Sequence, residues 1–78
     1  MRQFNICIRS VRQLKAFVTL AMVQPFTVLV GNEHQQVNGK GFMGMLSLDC
    51  RHPLRVSVKC SEEEFGRFRK EADKIFAQ

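Results

Sequence analysis

Residues 54–64 read Leu54-Arg55-Val56-Ser57-Val58-Lys59-Cys60-Ser61-Glu62-Glu63-Glu64, and two periodicities meet inside them. Leu54, Val56, Val58 and Cys60 alternate with Arg55, Ser57 and Lys59, the period of two that gives a strand one apolar face. Ser61 then opens a capping box. Its hydroxyl takes an orphan amide of the first helical turn, Glu64 reaches back, and Glu62 to Glu64 sit where the helix dipole favours negative charge. Beyond the cap, Phe65, Phe68, Ala72 and Ile75 share one helix face, with Arg67, Lys70 and Lys74 towards the far end.

The beginning of the chain repeats this grammar. Phe4, Ile6 and Ile8 alternate with Asn5, Cys7 and Arg9 as a first strand. From Ser10 the period changes: Val11, Leu14, Phe17 with Val18, and Ala21 form an apolar helix face, while Arg12, Gln13 and Lys15 point away. Ser10 and Gln13 fit a capping box, and the helix should stop before Pro25, whose ring disfavours helical geometry in the preceding residue. Phe26 to Val30 reads as a second strand ended by the turn Gly31-Asn32, and His34 to Val37 as a third, with Gln35 and Gln36 marking an edge position. Asn38-Gly39-Lys40-Gly41 is a turn. Phe42 to Leu48 follows as a short helix of about two turns, with Phe42, Met43, Leu46 and Met45 at helical spacing. Asp49 to Pro53 is a loop. The order strand, helix, strand, strand, helix, strand, helix, with a hairpin at its centre and helices that each need an apolar surface, predicts an α+β fold: a four-stranded antiparallel sheet with three helices on one face.

At 78 residues a chain buries only roughly 60% of its unfolded surface. That leaves one domain over residues 1–78 and excludes a multi-domain enzyme with a large internal cavity. An apolar fraction of 45% excludes disorder. No run of about 18 uncharged apolar residues is present to span a bilayer, Ala16 to Val23 being the longest candidate, and Arg9, Arg12 and Lys15 interrupt any signal-peptide core. Cys7, Cys50 and Cys60 form no C-x-x-C or zinc spacing and read as reduced, mostly buried thiols in a cytoplasmic protein, with a Cys50–Cys60 disulfide as the minor alternative. The net charge of +5 is unevenly placed: residues 1–60 hold eight basic and two acidic side chains, residues 61–78 four and five. Such a basic body favours acidic partners.

No catalytic constellation arises from local spacing. His34 and His52 lie beside no cysteine and no base–nucleophile pair, Glu62 to Glu64 are accounted for by the helix dipole, and Gly39-Lys40-Gly41 lacks the phosphate-loop pattern. Metal and cofactor sites are not expected. Lys40 to Ser47 echoes an RNA-binding motif of the RNA-recognition fold, but Gly44 and Ser47 occupy positions where that motif places stacking aromatics, and the chain has no Trp or Tyr. A small basic nucleic-acid-binding domain is therefore the weaker reading of the charge, limited to salt-sensitive attraction.

Val37-Asn38-Gly39-Lys40-Gly41-Phe42-Met43-Gly44-Met45-Leu46-Ser47-Leu48 resembles the stretch V-N-x-K-S-I-M-G-V-M-S-L that begins the second helix of HPr. This is the histidine-containing phosphocarrier family of the bacterial sugar phosphotransferase system. The resemblance extends more loosely to Phe17-Val18, to Phe26 to Val30, and to Leu54 to Val58 with its acidic cap. It implies the open-faced β-sandwich of that family, in βαββαβα order. In the family a histidine in a motif of the type H-x-R-P-A, at the start of the first helix, carries the phosphoryl group. Counting back from Phe17-Val18, that histidine falls at Ser10, the arginine at Arg12 and the proline at Gln13. The regulatory serine of the second helix falls at Gly41. A serine phosphate is a poor phosphoryl donor and a serine needs a base to become a nucleophile, so Ser10 reads as a helix cap first and as a phosphate acceptor second. What the resemblance preserves is the docking surface: Arg12, Phe42, Met43 and Leu46 match positions that contact enzyme I, the sugar-specific components and regulators. Interface and core remain open alternatives for Phe42 and Met43. The implied function is a phosphotransferase-related protein that binds partners without carrying phosphate. The alternative is a working phosphocarrier that uses His34 or His52.

Overall fold

A computed structural model of the chain describes residues 1–77. The elements are β1 (Arg2–Ile6), α1 (Val11–Met22), β2 (Val28–Gly31), β3 (Gln36–Asn38), α2 (Phe42–Leu46), β4 (Leu54–Val58) and α3 (Glu62–Phe76). The four strands form one antiparallel sheet in the order β1-β4-β2-β3. This is the α+β architecture expected from the sequence, with the glutamine-bearing strand at an edge.

Register explains how one sheet face becomes the core wall. Phe4 opposes Val56, Val56 opposes Val30, and Val30 opposes Val37, a continuous apolar row that runs across all four strands. Rows of Val58 with Val28, and of Leu54 with Ile6, extend it. One residue along each strand, the opposite face carries Asn5, Arg55, Gly31 and Gln36 in one row and Gln3, Ser57, Leu29 and Asn38 in the next. That face is largely polar, so the helices collect on the other side, where burial of apolar area stabilises the fold.

Phe68 of α3 holds the layers together. Its ring centroid lies 5.9 Å from Phe4 of β1, 5.9 Å from Phe17 of α1 and 5.6 Å from Phe26, which precedes β2. The Phe4 and Phe26 contacts are edge-to-face, an arrangement that the ring quadrupole favours. The caps form where the sequence places them. The amide of Glu64 donates to Ser61 Oγ at 3.1 Å and that of Ser61 to Glu64 Oε1 at 3.0 Å. At α1 the amide of Gln13 donates to Ser10 Oγ at 3.2 Å, but Gln13 Oε1 accepts from Arg9, at 2.8 Å, instead of from Ser10. Two glycines are fixed by close approach. A Cβ on Gly31 would collide with the backbone carbonyl of Gln35, and one on Gly39 would lie 2.7 Å from Val28 Cγ1.

Several expectations need correction. β3 begins at Gln36, because Asn32 Oδ1 accepts from the amides of His34 and Gln35 at 2.8 and 2.9 Å and keeps those residues in the turn. β2 begins at Val28; Phe26 is buried in the aromatic cluster ahead of the strand. Val11 is 56% exposed and borders a surface depression beside Ser10 instead of joining the buried face of α1. α2 ends at Leu46, and the residue it buries is Met45. The thiols are not mostly buried: Cys7 is exposed, Cys50 and Cys60 are half-buried, and all three are free. Cys7 faces outward because Ile6 and Ile8 on either side of it turn inward.

Replacing Phe68 with Ala removes the ring shared by β1, α1 and the segment before β2. A loss of about 3–5 kcal/mol of stability is expected, read as a lower midpoint in guanidinium unfolding. A loss below about 1 kcal/mol would show that the cluster is not the centre of the core.

Candidate functional site

Ser10 precedes α1 in extended backbone, with φ −155° and ψ 160°. It opens onto a depression of about 410 Å3 whose wall includes Arg9, Val11, Leu14, Leu46, Cys50 and Arg51. Four segments build it: the connection that follows β1, the start of α1, the α2 terminus and the 49–53 loop. No imidazole or carboxylate is among the described residues that line it. A serine hydroxyl here lacks the base that nucleophilic chemistry requires, and its oxygen already accepts the Gln13 amide.

The arginine that the sequence pairs with Ser10 lies elsewhere. Arg12 lines a groove between α1 and α3, with Ala16, Leu20, Glu71, Lys74 and Ile75. The cations beside Ser10 are Arg9 and Arg51. Sequence reading missed both: Arg51 because the 49–53 loop reaches Ser10 only through the tertiary fold, and Arg9, although it is the neighbour of Ser10, because the resemblance points to Arg12. Arg51 is oriented by Asp49, with Nε to Oδ1 and Nη2 to Oδ2 both at 2.9 Å, and its amide also donates to Oδ1 at 3.0 Å. These hydrogen bonds hold the Asp49 carboxyl well below the usual carboxylate range and push the Arg51 guanidinium up. The pair is exposed, so it orients a side chain more than it stabilises the fold.

α2 supplies the apolar part of the surface. Met43 is 76% exposed and Leu46, one turn on, 44%; Leu46 shares the Ser10 depression with Val11. Phe42 is half-buried against the core. The open choice between interface and core thus divides: Met43 faces out, Phe42 packs partly in, and Met45 takes the core position. Gly41 caps α2 without a side-chain hydrogen bond, and a Cβ there would meet only the Asn38 carbonyl, at 3.5 Å. The turn before it is pinned by Lys40, whose Nζ donates to the Gln24 carbonyl at 2.8 Å. Lys40 is therefore tied to the end of α1.

His34 and His52 line a second depression, of about 440 Å3, together with Asn5, Asp49 and Arg55. Glu62 to Glu64 remain at the α3 cap, where Glu64 completes the capping box. None of the seven Phe residues is exposed, so the described surface offers no aromatic platform on which a base can stack. Among the described residues there is no cluster that could hold a metal, and no helix is long and apolar enough to cross a membrane.

No family model matches the chain, and no curated protein matches it in sequence. Among solved structures, HPr-C-His from Thermoanaerobacter tengcongensis is similar: 22% identity over 100% of this chain and 98% of that one, with a TM-score of 0.78. The fold is therefore that of an HPr-like protein.

Two outcomes test this geometry. Ser10→Ala removes the α1 cap and should lower stability by about 1 kcal/mol in chemical unfolding; no change would remove the capping role. Burial pushes the Cys50 and Cys60 thiols up in pKa, so iodoacetamide at pH 8 should alkylate the exposed Cys7 ahead of both, as read by peptide mass spectrometry.

Proposed function

We propose that residues 1–78 act as one HPr-like unit in the cytoplasm that docks phosphotransferase-system proteins or their regulators without carrying phosphate. The observation that carries this reading is the surface at the start of α1. Val11, Met43 and Leu46 are exposed large apolar side chains, and Arg9 and Arg51 border the depression that Val11 and Leu46 share. Methionine adapts to partner surfaces of differing shape, and an apolar centre with a cationic rim fits a partner that presents carboxylates around an apolar patch. Arg12, on the other side of α1, belongs to the same proposed docking region only at its margin. Ser10 as a cap, glycine at position 41 and the lack of a base in the Ser10 depression support binding over phosphoryl relay. The buried or half-buried state of every Phe supports a protein partner over a nucleic acid.

Incubation with phosphoenolpyruvate and enzyme I, followed by intact mass measurement, should show no added phosphate. A gain of one acid-labile phosphate overturns this part of the reading and favours the alternative with a histidine acceptor, which His34→Ala and His52→Ala then locate. In an NMR titration with enzyme I, amide shifts should cluster at Val11, Met43 and Leu46 and vanish in the double variant Met43→Lys, Leu46→Lys. Shifts confined to other surfaces, or none, count against the docking site.

A further inference from the structure

The chain has two histidines, far apart in sequence and on different loops, yet His34 and His52 line one depression at the polar face of the sheet. Its floor is the sheet row that holds Asn5, Arg55 and Gly31, and its walls are the β2–β3 turn and the 49–53 loop. The ionisable groups that line it are Glu33, His34, Asp49, His52 and Arg55. Arg51 adds a further charge through its hydrogen bonds to Asp49. That pairing neutralises Asp49, while Glu33 has no ion pair among the described residues and stands against Arg55 in the count of charge. With both imidazoles neutral the cluster carries no net charge; with both protonated it carries +2. Histidine is the side chain whose ordinary titration spans pH 5 to 8.

We propose that this depression is an acid-gated site for a small oxyanion, of the phosphate-monoester or sulfate class. Arg55 presents a planar fork suited to two oxygens of a tetrahedral anion, and protonated His34 and His52 donate from the walls. Asn5, in register with Arg55, adds an amide donor beside it. The volume of about 440 Å3 lies in the range of small-molecule pockets, and the depression is formed without the Ser10 surface. The 49–53 loop divides the two: Asp49 and His52 face the histidine depression, Cys50 and Arg51 the Ser10 side. The inference does not depend on the docking reading, and either can fail alone.

The test uses inorganic sulfate, whose charge does not change between pH 5.5 and 8, so that any pH dependence belongs to the protein. Sulfate titrated at pH 5.5 should shift the imidazole resonances of His34 and His52 together and saturably, with affinity about tenfold or more above that at pH 8. His34→Gln with His52→Gln should abolish the pH dependence, and Arg55→Gln should weaken binding at both pH values. All three positions are exposed, so the variants should keep the far-UV circular dichroism of the parent. Glycerol phosphate should compete with sulfate at pH 5.5, and glycerol should not. Equal affinity at the two pH values, an unchanged double variant, or saturable shifts at Arg9 and Arg51 instead would overturn the proposal.

Discussion

Phe68 is the side chain on which the layers depend. It alone touches rings from β1, from α1 and from the segment that leads into β2. Phe4 is gripped further by Phe65, at 5.8 Å, and Phe17 by Phe76, at 5.9 Å. A chain of this size has little area with which to offset the entropy of folding. Concentrating its aromatic residues at the meeting of three elements gives each ring several packing partners. Helix α3 thereby acts as a clamp over the sheet, and the short α2 is left to be positioned by its neighbours.

That division determines which surfaces are available for binding. α2 is only five residues long and commits Met45 to the core. Gly44, whose Cβ would lie 3.4 Å from that of Val37, lets the helix settle close to β3. A single buried side chain on so short a helix obliges Met43 and Leu46 to face outward. The 49–53 loop then returns the chain to the sheet and borders two depressions. One is apolar with arginines beside Ser10; the other is polar with both histidines. Chemical character differs across the loop because Asp49, His52 and Pro53 line one side of it, and Cys50 and Arg51 the other.

Legibility from sequence followed the range of the interactions involved. The β4–α3 segment and its capping box could be read directly, since period-two alternation, Ser61 and Glu64 all act within a few residues. The α1 cap was legible at Ser10 and Gln13, although the donor to Gln13 proved to be Arg9. The inner face of α2 was not legible. Five residues hold too little of a helical period to separate Met45 from Met43, and the way the helix seats against the core decides between them. Nor could spacing reveal that Arg51 replaces Arg12 beside Ser10, or that His34 and His52 line one depression from facing walls. Both depend on the 49–53 loop crossing the sheet end, a non-local event. Cys7 shows the opposite case: strict alternation with Ile6 and Ile8 placed it outside, against the general tendency of cysteine to be buried.

The sheet order has a consequence for how the protein is made. β4 is the last strand in the chain, yet it lies between β1 and β2 and contacts both along their lengths. Until Leu54–Val58 have left the ribosome, β1 has no partner strand, and only the β2–β3 hairpin and isolated helices can form. Most native contacts must therefore appear together, between distant segments and only once β4 is available, which makes folding of this sheet a cooperative event. For the same reason, a truncation within β4 leaves two apolar strand edges exposed at once, a form for chaperones and proteases to remove, with no smaller working domain left behind.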